Sequence, residues 1–71
     1  MAQFRHGDRV EWSSHGGTAT GKVVKKITSD TEAAGRTVRA SEDEPQYLVR
    51  SDRGGEAVHK PDALRRAGAG R

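Results

Sequence analysis

The residues best suited to chemistry in this chain are cations gathered on a few short segments. Lys22, Lys25 and Lys26 are close together in the sequence, Arg50 follows the apolar run "QYLV", and Lys60 lies in the tripeptide "HKP". Lysine and arginine attract phosphate and carboxylate groups, and a net charge of +3 favours weak association with polyanions. We therefore expect these five residues to contact a polar or anionic ligand.

The same cations also have a purely structural interpretation. A net charge of +3 fits a solvated surface of mixed charges that keeps the protein soluble. In "HKP", His59 would hydrogen-bond to a turn while Pro61 begins the final turn of the chain. The sequence leaves both interpretations open.

Patterns typical of enzymes and metal sites are missing from the sequence. It has no Cys, and His6, His15 and His59 lie on different segments without the spacing of a zinc site. The serines are in turns or at strand ends, with no nucleophile motif around them. The glycine pairs lack the context of a phosphate-binding loop. We expect no catalytic activity, no metal and no cofactor.

Trp12 and Tyr47 are the aromatic residues that could line a ligand pocket. The chain has one Trp, one Tyr and one Phe among 71 residues, and 31% of its residues are hydrophobic. A domain this short buries only about 60% of the surface of its unfolded chain, so its core needs almost every large apolar side chain. We therefore expect Trp12 in the core. The alternative is a cleft lined by Trp12 and Tyr47 and flanked by Lys22 or Arg50.

Short strands must position these residues. "DRVEWS" alternates, with Val10 and Trp12 on one face. Strands separated by turn residues are predicted over 8–13, 18–28, 36–40, 46–52 and 56–60. Five antiparallel strands, with a bend at Gly21, predict a small closed barrel that leaves no exposed sheet edge.

The connections between the strands carry weaker signals. Residues 29–36 predict a polar loop, and the spacing of Ser41 and Glu44 predicts one helical turn before Pro45. Pro61 predicts a single closing turn, with Leu64 as an apolar plug behind it.

The chain is expected to form one domain. We predict a folded domain over 1–66 and a flexible tail over 67–71, because "AGAGR" offers nothing to pack. The first residues contain no apolar run, so we expect neither a signal peptide nor a membrane anchor. The prediction is a cytoplasmic protein.

Three segments together closely resemble a known family. "FRHGDRVEW", "TGKVVKKITSDT" and "SEDEPQYLVRSDRGGEAVHKPDALR" are similar to the hypervirulence-associated protein Tudor domain family, small proteins of bacteria and fungi. The similarity extends over about residues 4–65. It implies an all-β, five-stranded antiparallel SH3-like or Tudor-like barrel with a short closing 3₁₀ turn, and it implies little chemistry.

The wider Tudor group includes readers of methylated lysine and arginine, which hold the cation in a cage of about four aromatic residues. The resemblance places Trp12 near one cage position. The other positions correspond to Ala19, Arg50 and Arg53 or their neighbours, none of which is aromatic. The resemblance therefore does not extend to methyl-group recognition.

The function that the sequence predicts is that of a non-catalytic binding module for a polar or anionic partner, such as nucleic acid, a nucleotide or an acidic protein segment. Because the aromatic residues are needed inside, nucleic acid would be held by salt-sensitive phosphate contacts. The alternative is a protein-interaction or assembly module, in which an exposed strand edge pairs with a partner or a second copy. The protein would then be a monomer or a weak homo-oligomer.

Overall fold

The computed structural model describes residues 4–14 and 16–67, which form short β-strands and one 3₁₀ turn. Seven strands follow in chain order: β1 (Arg9–Ser14), β2 (Gly17–Ile27), β3 (Thr31–Ala33), β4 (Arg36–Val38), β5 (Gln46–Ser51), β6 (Glu56–His59) and β7 (Arg65–Arg66). The 3₁₀ turn over Pro61–Ala63 lies between β6 and β7, as the sequence predicts. No helix in the described residues is long and apolar enough to cross a membrane.

The strands form two antiparallel sheets. Five of them are ordered β6-β5-β2-β1-β7, and β3 pairs with β4 in a separate hairpin. The prediction of an all-β antiparallel fold is confirmed, but the predicted closure into a five-stranded barrel is not. The sheet runs from β6 to β7 without joining these two strands, and it is accompanied by a two-stranded sheet. The chain connects β6 to β7 through the 3₁₀ turn over Pro61–Ala63, and no described residues of these two end strands pair with each other.

The hairpin of β3 and β4 corrects the prediction of a polar loop over 29–36. Thr31 pairs with Val38 and Ala33 pairs with Arg36. The turn between them has positive φ at both central residues, 52° at Ala34 and 75° at Gly35, as a tight hairpin turn of type I′ requires. Alanine rarely adopts positive φ, and β3 has no large apolar residue. The sequence therefore gives no signal for β3 or for the turn, whereas β4 lies within the strand predicted over 36–40.

The predicted helical turn before Pro45 is also absent, although its hydrogen bond is present. The N–H of Glu44 donates to Oγ of Ser41 at 3.1 Å. The N–H of Ser41 donates back to the carbonyl oxygen of Glu44 at 3.2 Å. This reciprocal pair closes a bend of the chain instead of beginning a helix.

The five-stranded sheet packs apolar side chains on both faces. On the face that we call inner lie Phe4, Val10, Trp12, Val23, Tyr47, Val49 and Leu64. On the opposite, outer face, a smaller cluster joins Ile27 and Val58 to Val38 of the β3–β4 hairpin. The neighbours Leu48 and Val49 divide between the two clusters because successive side chains of a strand point to opposite faces.

Trp12 belongs to the core, as the scarcity of apolar residues predicts. Its exposed fraction is 5%, and that of Tyr47 is 0%. The Tyr47 hydroxyl accepts a hydrogen bond from the N–H of Phe4 at 3.3 Å, and the two rings meet edge to face at 5.4 Å. Leu64, 4% exposed, fills the position of the predicted plug. The two aromatic residues proposed for a pocket are thus buried.

The end of the domain lies along β1. The N–H of Ala67 donates to the carbonyl oxygen of Arg9 at 3.1 Å, which extends the pairing of β7 with β1 by one residue. Residues 68–71, the rest of the predicted tail, lie outside the described residues.

Candidate anion-binding surface

Three cations face one another across adjacent strands of the sheet. Lys22 on β2 is directly opposite Arg9 on β1 and Arg50 on β5. Arg50 is in turn opposite Glu56 on β6. Residues in register on neighbouring strands share a face of the sheet. Arg9, Lys22 and Arg50 therefore form a cation row across the outer face.

The hydrogen-bond pattern fixes how close these residues are. The N–H of Asp52 donates to the carbonyl oxygen of Thr20 at 2.9 Å, which marks the Thr20–Asp52 pair as a hydrogen-bonded position. Because such positions recur every second residue, the Lys22–Arg50 pair is hydrogen-bonded too, with a Cα–Cα distance of about 5.5 Å. Two positive side chains thus start from directly facing positions.

A β-bulge adds Lys25 to the same face. The register of β2 against β5 shifts between Val23 and Lys25. The extra residue, Val24, places Lys22 and Lys25 on the same face, whereas a regular strand would send them to opposite faces. Lys25 is opposite Leu48, which shares the outer face with Arg50.

The remaining two predicted contacts lie elsewhere. Lys26 is opposite Tyr47, whose side chain belongs to the inner face. Lys60 follows the last residue of β6, at the far end of that strand from Glu56, and its carbonyl oxygen accepts the N–H of Ala63 at 3.0 Å. The structure thus brings together Lys22, Lys25 and Arg50, and it separates Lys26 and Lys60 from them.

Arg9 is a member of the row that the sequence interpretation missed. Its guanidinium donates two hydrogen bonds to Asp52, Nη1 to Oδ1 at 2.8 Å and Nη2 to Oδ2 at 3.0 Å. Thr20 Oγ1 donates to the same carboxylate at 2.9 Å. These hydrogen bonds, with that from Arg9 first, lower the pKa of Asp52, and the bond to Asp52 raises the pKa of Arg9. The charge of Arg9 is therefore balanced within the protein.

Lys22, Lys25 and Arg50 have no ion pair of this kind among the described residues, although the charge of Lys22 also helps to lower the pKa of Asp52 and Arg50 is opposite Glu56. The ion pairs among the described residues join Arg9 to Asp52, Arg65 to Glu11 and Arg66 to Asp8, at 2.8, 2.8 and 3.2 Å. None of them includes the three outer-face cations, which are all exposed. Like charges directly opposite each other destabilise a sheet. An anion bound between Lys22 and Arg50 would relieve that repulsion.

His59 lies away from this surface. Its ring is 5.5 Å from the ring of Trp12, on the inner side of the sheet, and its buried Nε2 has no hydrogen-bond partner. Burial, followed by the charge of Arg36, lowers the pKa of His59, so the neutral imidazole is favoured. The imidazole is therefore packed with the core instead of facing the outer cations. Within the described residues, no group of three His, Asp or Glu side chains is arranged to hold a metal ion.

Comparisons with known proteins agree with the sequence resemblance. The family model described as the TUDOR domain of hypervirulence associated proteins matches residues 7–64. No curated protein and no solved structure matches the chain. The matched segment includes β1 to β6, the closing turn and all three outer-face cations. The chain belongs to the hypervirulence-associated protein Tudor domain family.

Proposed function

We propose that this protein is a non-catalytic binding module that holds an anionic ligand at Lys22, Lys25 and Arg50. Membership of a Tudor-type family suggests a small binding module. The observation that supports the choice of ligand is the directly opposed pair of Lys22 and Arg50, both exposed and in none of the ion pairs between described residues. A protein that keeps two like charges in register gains stability when a negative group binds between them.

The ligand class follows from the burial of the aromatic residues, which leaves the described part of the surface without an exposed aromatic ring. The chain has three aromatic residues, and Phe4, Trp12 and Tyr47 are all at most 5% exposed. Recognition of a free nucleotide or of unpaired bases normally uses an exposed aromatic platform on which the base stacks. A surface of cations without an aromatic ring attracts phosphates but offers no platform on which a base could stack. The backbone of a nucleic acid is therefore the ligand that we favour.

A titration with a labelled oligonucleotide at low ionic strength tests this proposal. With about three phosphate contacts, the logarithm of the binding constant should fall against the logarithm of salt concentration with a slope near minus three. Lys22→Gln and Arg50→Gln should each weaken binding and make the slope shallower by about one. Fluorescence anisotropy measures both quantities.

Lys26→Gln provides the matched control. It removes the same charge from the same strand, but from a position opposite the core residue Tyr47. It should leave the slope near that of the unchanged protein. Equal losses for Lys22→Gln and Lys26→Gln would show that only net charge matters. Binding of an acidic peptide in preference to the oligonucleotide would contradict the choice of nucleic acid.

A further inference from the structure

The edge of the sheet formed by β6 has backbone groups that point away from the rest of the protein. The N–H of Ser51 donates to the carbonyl oxygen of Gly55 at 2.7 Å, which makes this pair a hydrogen-bonded position. By alternation, Val49–Ala57 and Tyr47–His59 are hydrogen-bonded, while Arg50–Glu56 and Leu48–Val58 are not. The backbone N–H and C=O of Glu56 and Val58 are therefore directed outward. In the described part of the chain, β5 is the strand that pairs with β6.

This outward pattern restricts how a second copy could pair with the edge. Two antiparallel copies of β6 must bring their outward residues opposite each other, since the inward residues already bond to β5. Lys60 continues the strand with extended backbone angles, φ −73° and ψ 158°. A two-fold axis at Val58 then places Val58 against Val58 of the second copy. It also places Glu56 of each copy against Lys60 of the other.

The charges favour this register. Opposite charges at facing positions stabilise an antiparallel pair, and the symmetry repeats the Glu56–Lys60 contact at both ends of the interface. Val58 is 5% exposed and already packs with Ile27 and Val38, so pairing needs no exposed apolar side chain. The opposite edge of the sheet, β7, consists of Arg65 and Arg66. These two arginines are already in ion pairs with Glu11 and Asp8, and the two-residue edge offers a shorter ladder than β6.

We propose that two copies of this chain associate through β6, in antiparallel register about Val58, to form a continuous ten-stranded sheet. The contact does not include Lys22 or Lys25, which lie on a different strand, whereas Glu56 is also opposite Arg50 of the candidate surface. A paired edge of about five residues makes a small interface, of the size typical of weak complexes. We therefore expect a reversible dimer that grows with concentration.

Sedimentation velocity from about 10 μM to about 1 mM tests the proposal, a range that brackets weak association. The average mass should rise towards that of a dimer. Glu56→Lys and Lys60→Glu should each weaken association by about fivefold or more, because each makes both end contacts repulsive. The double variant restores opposite charges at both ends and the original net charge, so it should associate like the unchanged protein.

Amide hydrogen exchange locates the interface. Protection of the N–H groups of Val58 and Lys60 should increase with protein concentration, because they would donate to the carbonyl oxygens of Val58 and Glu56 of the second copy, while Ala57, already bonded to β5, should change little. A monomer throughout the concentration range would overturn the proposal. So would a dimer that the single charge reversals leave unchanged, or protection that increases at Arg66 instead of at β6. Loss of oligonucleotide binding in Lys22→Gln with unchanged association would separate this proposal from the proposed function.

Discussion

The two faces of β2 differ in the side chains that they carry. On the inner face, Val23 packs with Trp12 and Tyr47 in a core that solvent hardly reaches. On the outer face, Lys22 and Lys25 are exposed beside Arg50 and have no ion-pair partner among the described residues. The inner face is optimised for stability, whereas the outer face retains repulsion that a monomer in water does not need. The proposed binding of an anion would account for this contrast.

The largest loss of stability is expected from removing the Trp12 side chain from the inner face. Trp12→Ala should lower the free energy of unfolding by about 3 to 5 kcal/mol, because the lost side chain leaves a cavity against Tyr47 and His59. A domain of this size has a total stability of only about 4 to 11 kcal/mol, so the variant should be largely unfolded at moderate urea. Urea unfolding followed by circular dichroism measures the change.

Trp12→Phe is the control for that experiment, since it keeps an apolar ring and should retain more than half of the lost stability. If Trp12→Ala were as stable as the unchanged protein, the indole would not be a core residue. The aromatic pocket would then be the better interpretation of Trp12.

A smaller loss is expected where β2 and β5 approach most closely. A Cβ added at Gly21 would overlap the carbonyl oxygen of Arg50 and lie 2.7 Å from its carbonyl carbon and 2.9 Å from Cα of Ser51. Because these are backbone atoms, Gly21→Ala should cost about 1 to 3 kcal/mol, or more if the strands cannot separate. Thermal unfolding should show a clearly lower midpoint.

Gly55→Ala is the matched substitution, since a Cβ there meets nothing within 4 Å. It should change the midpoint little. Similar midpoints for Gly21→Ala and Gly55→Ala would mean that the close approach of β5 to β2, and with it the juxtaposition of Lys22 and Arg50, is incorrect.

The smallest effect is expected from titrating His59. Burial lowers its pKa in the folded protein, so the unfolded chain binds the proton more readily. Stability should therefore be fully present above about pH 6.5, the ordinary histidine value, and should decrease as the pH falls below it. Urea midpoints at several pH values measure this slope.

His59→Gln should flatten the slope, and His6→Gln, at an exposed position, should preserve it. A slope that His6→Gln removes and His59→Gln retains would contradict the burial of the imidazole against Trp12.

Much of this fold could be predicted because a few strong local signals agree with it. The alternation of Val10 and Trp12, the apolar run at Tyr47 and the proline at 61 predict β1, β5 and the closing turn within a residue or two. The burial of Trp12 follows from the shortage of apolar side chains. Strand β4 lies within the strand predicted over 36–40, whereas β3 and β7 are not predicted, because their residues are small or polar and their positions depend on contacts with other strands.

The candidate surface could be predicted only in part, because the register of the strands decides which cations share a face. Lys25 and Lys26 point to opposite faces because they are neighbours on one strand, and the bulge at Val24 decides that Lys25 and not Lys26 shares the face of Lys22. Arg9 could have been found, since the pairing that aligns Ser14 with Gly17 also places Arg9 opposite Lys22. The ion pair of Arg9 with Asp52 could not have been predicted, because the two residues are 43 positions apart in the sequence.

The most direct test of the anionic surface is a titration of isotope-labelled protein with a short oligonucleotide at low salt, followed by NMR chemical shifts. The account predicts that the largest shifts occur at Lys22, Lys25 and Arg50, and that the indole N–H of Trp12 and the amide of Lys26 shift much less. Shifts centred on Trp12 and Lys26, or none at low salt, would contradict it.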